Sequence, residues 1–136
     1  MKSLELEASE ENLKHIRNFV EQYLIEFKIN PKTISEIKLA VGESIANVVK
    51  YGYKKFDPKN KILTVLDFKD DQLEIHIYDN GIKVTKDMIK SRDIDNVEPG
   101  QIGSYFMKKI MDYFDWSEEK SEWVNHLILK KHLTKK

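Results

Sequence analysis

Apolar positions change period several times along this chain, and each change predicts an element. Between Ser3 and Glu7, Leu4 and Leu6 alternate with polar neighbours, which predicts a short strand. Ser9 then offers an N-cap, and Glu10 and Glu11 suit the positive end of a helix dipole. Leu13, Ile16, Val20, Leu24 and Phe27 follow at helical spacing, so a first helix is expected over Glu10–Phe27. Its other face carries Lys14, Arg17 and Glu21, whose default is solvent and whose alternative use is docking a protein. Asn30-Pro31 supplies an N-cap and a first-position proline for a second helix. Ile34, Ile37, Val41, Ile45, Val48 and Val49 form its packed side, and Gly52 is placed to end it.

Asp57-Pro58 and Asn60 mark a loop, after which Lys61–Lys69 and Gln72–Asp79 read as a hairpin around Asp70-Asp71. In its second strand Leu73, Ile75 and Ile77 alternate with Glu74, His76 and Tyr78, giving one buried and one wetter face. From Ile82 to Pro99 the pattern dissolves into charges and short apolar pairs, a length of loop that in a compact domain is usually either functional or disordered. Gly100-Gln101-Ile102-Gly103 leads into a further helix with Phe106, Ile110, Met111 and Phe114 on one side. Trp116–Lys120 and Trp123–Leu133 are expected as two closing strands joined by a tight turn. This order predicts one domain over residues 1–136: an α/β two-layer sandwich, with helices on one face of a mixed, mainly antiparallel sheet.

Composition narrows the classes. At 136 residues the chain can bury a core of its own. Its 23 basic and 23 acidic residues cancel, which argues against direct nucleic-acid binding through a basic face. Lys130, Lys131, Lys135 and Lys136 read as a solubilising basic end. With no cysteine there are no disulfides, thiolate metal sites or cysteine nucleophiles, as suits a reducing compartment. No apolar run reaches membrane-spanning length and the start lacks a signal-peptide core, so a cytoplasmic protein with no membrane partner is expected.

The candidate chemistry centres on Glu43 and Asn47. Four residues apart on a helix, they share a face, one above the other. A carboxylate and a carboxamide so aligned can hold a divalent cation and activate a nucleophile; in isolation the pair reads first as a polar stripe facing solvent, and only the later motifs lift it. Asp79-Asn80-Gly81 alone is a common turn, and a lone G-x-x-G before a helix is weak. The four histidines (His15, His76, His126 and His132) show no ligand spacing and read as structural or surface residues.

Taken in order, these motifs are specific. Glu43-x-x-x-Asn47 on a helix, Asp79-x-Gly81 at a strand end, a lid-like stretch about residues 82–99, and Gly100-x-x-Gly103 opening a helix resemble the GHKL (Bergerat-fold) ATPase superfamily. The run from Asn47 to Tyr53, the Ile110-Met111-Asp112 triplet and the small size are similar to its anti-sigma-factor serine/threonine kinases. The resemblance implies ATP and Mg²⁺ as cofactors. By it, Asn47 is expected to bind the metal, Glu43 to act as general base on a serine hydroxyl, and Asp79 to accept from the adenine amino group. Gly81 is expected to let backbone approach the base, and the amides of Gly100, Gln101, Ile102 and Gly103 to cradle phosphate. The implied partners are a sigma factor, an antagonist protein and a second copy of the chain. Against the family pattern, Lys83 stands at the second glycine of Asp-x-Gly-x-Gly, Gln101 replaces a loop glycine, and Ser121-Glu122 is expected at the final Gly-Thr. These departures motivate an alternative: a GHKL-type partner-switching module that has weakened or lost ATP binding and transfers no phosphate.

Overall fold

A computed structural model describes residues 1–53, 59–84 and 105–134, the side chains of Tyr51, Tyr105 and Phe106 excepted. The first strand, β1 (Lys2–Glu7), leads through the Ser9 cap into helix α1 (Glu10–Glu26). Lys28 closes that helix in the left-handed region at φ 57°, with its N–H on the Ile25 carbonyl. Helix α2 (Pro31–Asn47) starts where the sequence places it: the Asn30 Oδ1 accepts from the Lys32 N–H at 2.8 Å. Its α-helical geometry stops at Asn47 rather than running to Gly52. Val48–Gly52 form a single π turn, closed by a Tyr53 N–H bond to the Val48 carbonyl.

Strands β2 (Lys61–Lys69) and β3 (Gln72–Asp79) form the expected hairpin, and Asp70 and Asp71 both adopt positive φ, as a two-residue turn that follows the strand twist requires. The remaining described elements are helix α3 (Tyr105–Ile110), strand β4 (Tyr113–Trp116) and strand β5 (Asn125–His132). Together the strands make a five-stranded sheet in the order β1-β2-β3-β5-β4, and all of its pairings are antiparallel.

The C-terminal elements differ from the sequence expectation. Phe114 belongs to β4, not to the helical face it shares by spacing with Phe106 and Ile110. The Asp112 N–H binds the Lys130 carbonyl, the Asp112 carboxylate accepts from the His132 N–H, and Lys131 Nζ binds the Ile110 carbonyl. These three contacts end the helix and draw Tyr113–Trp116 into register with β5. The expected strand over Trp116–Lys120 is instead the beginning of a connection, since residues 118–122 offer no apolar position for a sheet face.

One face of the sheet holds the core. Ile62, Leu66, Leu73, Ile75, Ile77 and Leu129 meet Ile16, Val20 and Leu24 of α1 and Ile37, Val41 and Ile45 of α2, all essentially buried. The helices are joined on their outer flanks by an ion pair of Glu21 with Lys38 at 3.0 Å. Arg17 lays its guanidinium over Gly42, where a Cβ would lie 2.6 Å from Nε. Thus two charges that sequence assigns to solvent or a partner, Arg17 and Glu21, also border α2.

Candidate functional site

The end of α2, the end of β3 and the start of β5 converge on one cleft, because the antiparallel register sets Asp79 opposite both Ile62 and Asn125. The cleft spans about 480 Å³ including space open to solvent, of which only about 40 Å³ is room for the centre of a water-sized sphere. Its walls are mostly apolar, with Val48, Ile77, Met107, Trp116 and Leu127 among them, and the segment after Gly81 adds Ile82 and Val84. Its polar groups are few: Ser44, Asn47, Asp79 and Asn125.

Asn47 is the last α-helical residue before the π turn, and its side chain lines the cleft. Its amide nitrogen is buried without a hydrogen-bond partner. Such a group carries a desolvation cost until a ligand meets it, so Asn47 is an unfilled polar position in an otherwise satisfied wall. Glu43 sits one turn earlier, half-buried, outside the residues that line the cleft. Ser44 between them is spoken for: its hydroxyl lies 2.9 Å from the Ala40 carbonyl and 3.0 Å from Met107 Sδ.

Asp79 is 5% exposed. Its Oδ1 accepts from the Gly81 N–H at 2.8 Å and from Asn125 Nδ2 at 2.9 Å. Burial pushes its carboxyl above the ordinary aspartate range, and the bonds from Asn125 and Gly81 oppose that push. Gly81 is required by crowding: a Cβ there would stand 2.6 Å from the Gly52 carbonyl oxygen and 2.7 Å from its carbon. The two backbones cross at this point, and the Ile82 N–H donates to the Gly52 carbonyl at 2.9 Å. Tyr53 locks the same corner, its phenol donating to the Lys61 carbonyl and accepting from the Asn80 N–H. Burial raises the Tyr53 pKa.

The structure therefore brings together Asn47, Asp79 and Gly81, with Glu43 a turn away. Gly100, Gln101, Ile102, Gly103 and all of the expected lid after Val84 lie outside the described residues. Lys83 is exposed and its ammonium binds the Val124 carbonyl at 3.1 Å. Ser121 and Glu122 do not reach the cleft; Ser121 shapes a turn with Trp123, and the position opposite Asp79 belongs to Asn125. Sequence reasoning missed Asn125, Ser44 and Met107. Only the strand register singles out Asn125, since its neighbours Val124 and His126 give no motif. Among the described residues no three His, Cys, Asp or Glu side chains cluster as a metal cage. The unmatched Nδ2 of Asn47 suits an acceptor such as a phosphate oxygen, and its Oδ1 is the oxygen in the cleft that suits a hard cation.

Comparison with known proteins identifies the family and the fold. Residues 6–131 match the model of the histidine kinase-like ATPase domain. An anti-sigma F factor of Shouchella clausii is 28% identical over 83 residues, 61% of this chain and 56% of that protein. The serine-protein kinase RsbW of Staphylococcus epidermidis is 30% identical over 87 residues, covering 58% of this chain and 55% of its own. The chain thus spans about half the length of the curated relatives it matches. A crystal structure of the RsbU and RsbW domains of a Mycobacterium tuberculosis protein superposes over the whole chain and 34% of that protein, with a TM-score of 0.70 at 16% identity, a likeness of fold.

Proposed function

This chain belongs to the histidine kinase-like ATPase domain family, and on that premise we propose that it is an anti-sigma factor that uses ATP to phosphorylate an antagonist protein on serine or threonine. The observation that carries the reading is the cleft lined by both Asn47 and Asp79, with a partnerless amide nitrogen at the first and, at the second, a buried carboxylate held by the Gly81 N–H. Relatives named as an anti-sigma factor and a serine-protein kinase give the reading its direction.

In this proposal the apolar walls take the base, Asp79 accepts from its exocyclic amino group, and Gly81 leaves room for it. Asn47 binds Mg²⁺, and Gly100, Gln101, Ile102 and Gly103 supply phosphate-binding amides. Magnesium, when bound, neutralises charge on the transferring phosphoryl group. Glu43 accepts the proton of the incoming hydroxyl, for which its half-buried place beside Asn47 suits it. In a separate complex the protein sequesters a sigma factor. We place the protein in the cytoplasm as a single domain with its lid about 82–99, pairing as a homodimer; no helix among the described residues is long and apolar enough to cross a membrane.

Glu43→Ala is expected to lower phosphotransfer to the antagonist at least about a hundredfold, while leaving ATP affinity within a few-fold of the parent. Radiolabel transfer and equilibrium binding, measured side by side, check this. Undiminished transfer would remove Glu43 from the mechanism. A second reading, a partner-switching module without phosphotransfer, is favoured by one observation: Lys83, at the position of a glycine, is tied to Val124. Labelling of the antagonist by the parent protein would exclude it.

A further inference from the structure

Asn125 is 3% exposed and makes more of its hydrogen-bonding capacity than any other polar side chain in the cleft. One Nδ2 proton goes to Asp79 Oδ1 at 2.9 Å and the other to the Ile82 carbonyl at 2.9 Å. Its Oδ1 accepts from the Val84 N–H at 2.9 Å. The orientation of the carboxamide is forced by these partners. Flipped, it would set an oxygen against a carboxylate and a carbonyl, and an NH₂ against an N–H. Both donors are therefore consumed, and Asn125 has no proton to offer a ligand.

The consequence falls on Asp79. Its Oδ1 already receives two donors, from Asn125 and Gly81, which leaves Oδ2 as the oxygen turned to other use. The same carboxamide fastens the chain after Gly81. Ile82 and Val84 are stitched to β5 by Asn125, and Val124 adds bonds to Asn80 Oδ1 and Lys83 Nζ.

We infer that Asn125 is a positioning residue for base recognition: it fixes the orientation of the Asp79 carboxylate, occupying Oδ1 so that Oδ2 is the remaining acceptor, and couples it to residues 82–84. This rests on the proposed nucleotide site, but its first consequence is a property of the protein without ligand. Losing a hydrogen bond from Nδ2 disfavours the ionised form of a carboxylate that burial already disfavours. Among the described residues, the surroundings of Asp79 supply no substitute charge. β2 faces it with Ile62, α2 brings Ser44 and Asn47 with the half-buried Glu43 a turn behind, and the chain after the π turn brings the Tyr53 phenol. On β5, His126 points to the opposite sheet face, and the Lys83 ammonium is held on the Val124 carbonyl.

The test follows the Asp79 carboxyl by carbon-13 NMR through a pH titration of ligand-free parent, Asn125→Ala and Asn125→Thr, with hydrogen exchange of the Val84 amide on the same samples. In Asn125→Ala the Asp79 midpoint is expected to rise by about one pH unit or more, a tenfold effect of losing one hydrogen bond to a charged group. Asn125→Thr, whose hydroxyl can still donate to Asp79 but cannot span to Ile82 and Val84, should restore much of the midpoint while Val84 stays as exchangeable as in the alanine variant. ATP–Mg²⁺ titration then shows affinity in Asn125→Ala falling with decreasing pH at a higher pH than in the parent, which a general loosening of the fold would not produce. An Asp79 midpoint equal in parent and Asn125→Ala overturns the inference, whether or not ATP binds. If the midpoint is raised in Asn125→Ala but the parent binds no ATP, the positioning of Asp79 stands and its role in base recognition is overturned.

Discussion

Gly81 and Gly52 cross at backbone distance, yet they are not equivalent. A methyl group on Gly81 would collide with the Gly52 carbonyl, whereas one on Gly52 would meet Val48, Asp79 and Gly81 no closer than 3.7 Å, an ordinary contact. Gly81→Ala is therefore expected to cost about 1–3 kcal/mol by forcing the backbones apart, and to displace Asp79 and weaken any ligand it binds. Gly52→Ala should be tolerated at both readouts. Urea unfolding of the pair checks this, and equal losses in the two variants would show that the crossing is not the cause. At this scale the sequence was legible where chemistry forms a motif: Asn47 and Asp79 both line the cleft, and Gly81 donates its N–H to Asp79. It was silent at Asn125, whose role arises from a strand partner 46 residues away.

The elements themselves show why some boundaries can be read and others cannot. Asn30-Pro31 starts α2 by local chemistry alone, the cap oxygen meeting the Lys32 N–H at 2.8 Å. Asn30→Ala should thus lose about 1 kcal/mol, and Asn30→Asp should hold that stability; thermal melts of both variants decide, and an unchanged alanine variant would place the helix start under tertiary control. The hairpin from Lys61 to Asp79 was equally legible, since its alternation and its Asp70-Asp71 turn are local. The β4 boundary was not. Tyr113–Trp116 carries apolar residues that fit a helical face as well as a strand, and contacts from Lys130, Lys131 and His132 choose the strand. The π turn also escapes spacing rules, because it keeps the helix direction while changing its hydrogen bonds from Asn47 onward.

Seen whole, the molecule has a core on one side of its sheet and a half-buried aromatic face on the other. There His76 Nδ1 and His126 Nε2 lie 2.7 Å apart, and the Tyr78 ring stacks on His126 at 4.1 Å. Burial lowers the pKa of both histidines; Glu74 offsets this for His76, and the neighbouring His76 lowers His126 further. A histidine with a lowered folded pKa binds fewer protons folded than unfolded, so stability is lost as pH falls below about 6.5 toward the folded value. Urea midpoints should accordingly drop between pH 7.5 and 5.5, and the double variant His76→Gln, His126→Gln should flatten that drop. A slope unchanged in the double variant would assign the acid sensitivity to other groups. β1 and β4 form the two edges of the described sheet, which is where the proposed pairing of copies can be sought by sedimentation.

The central claim is that the cleft between α2, β3 and β5 binds ATP through Asn47 and magnesium. Calorimetric titration with ATP, with and without Mg²⁺, in the parent and in Asn47→Ala, tests it most directly. Saturable binding that needs magnesium is expected, weakened at least about tenfold in the variant, as for the loss of a bond to a charged group. No heat from the parent at millimolar ATP, or binding that ignores both magnesium and Asn47, would contradict it.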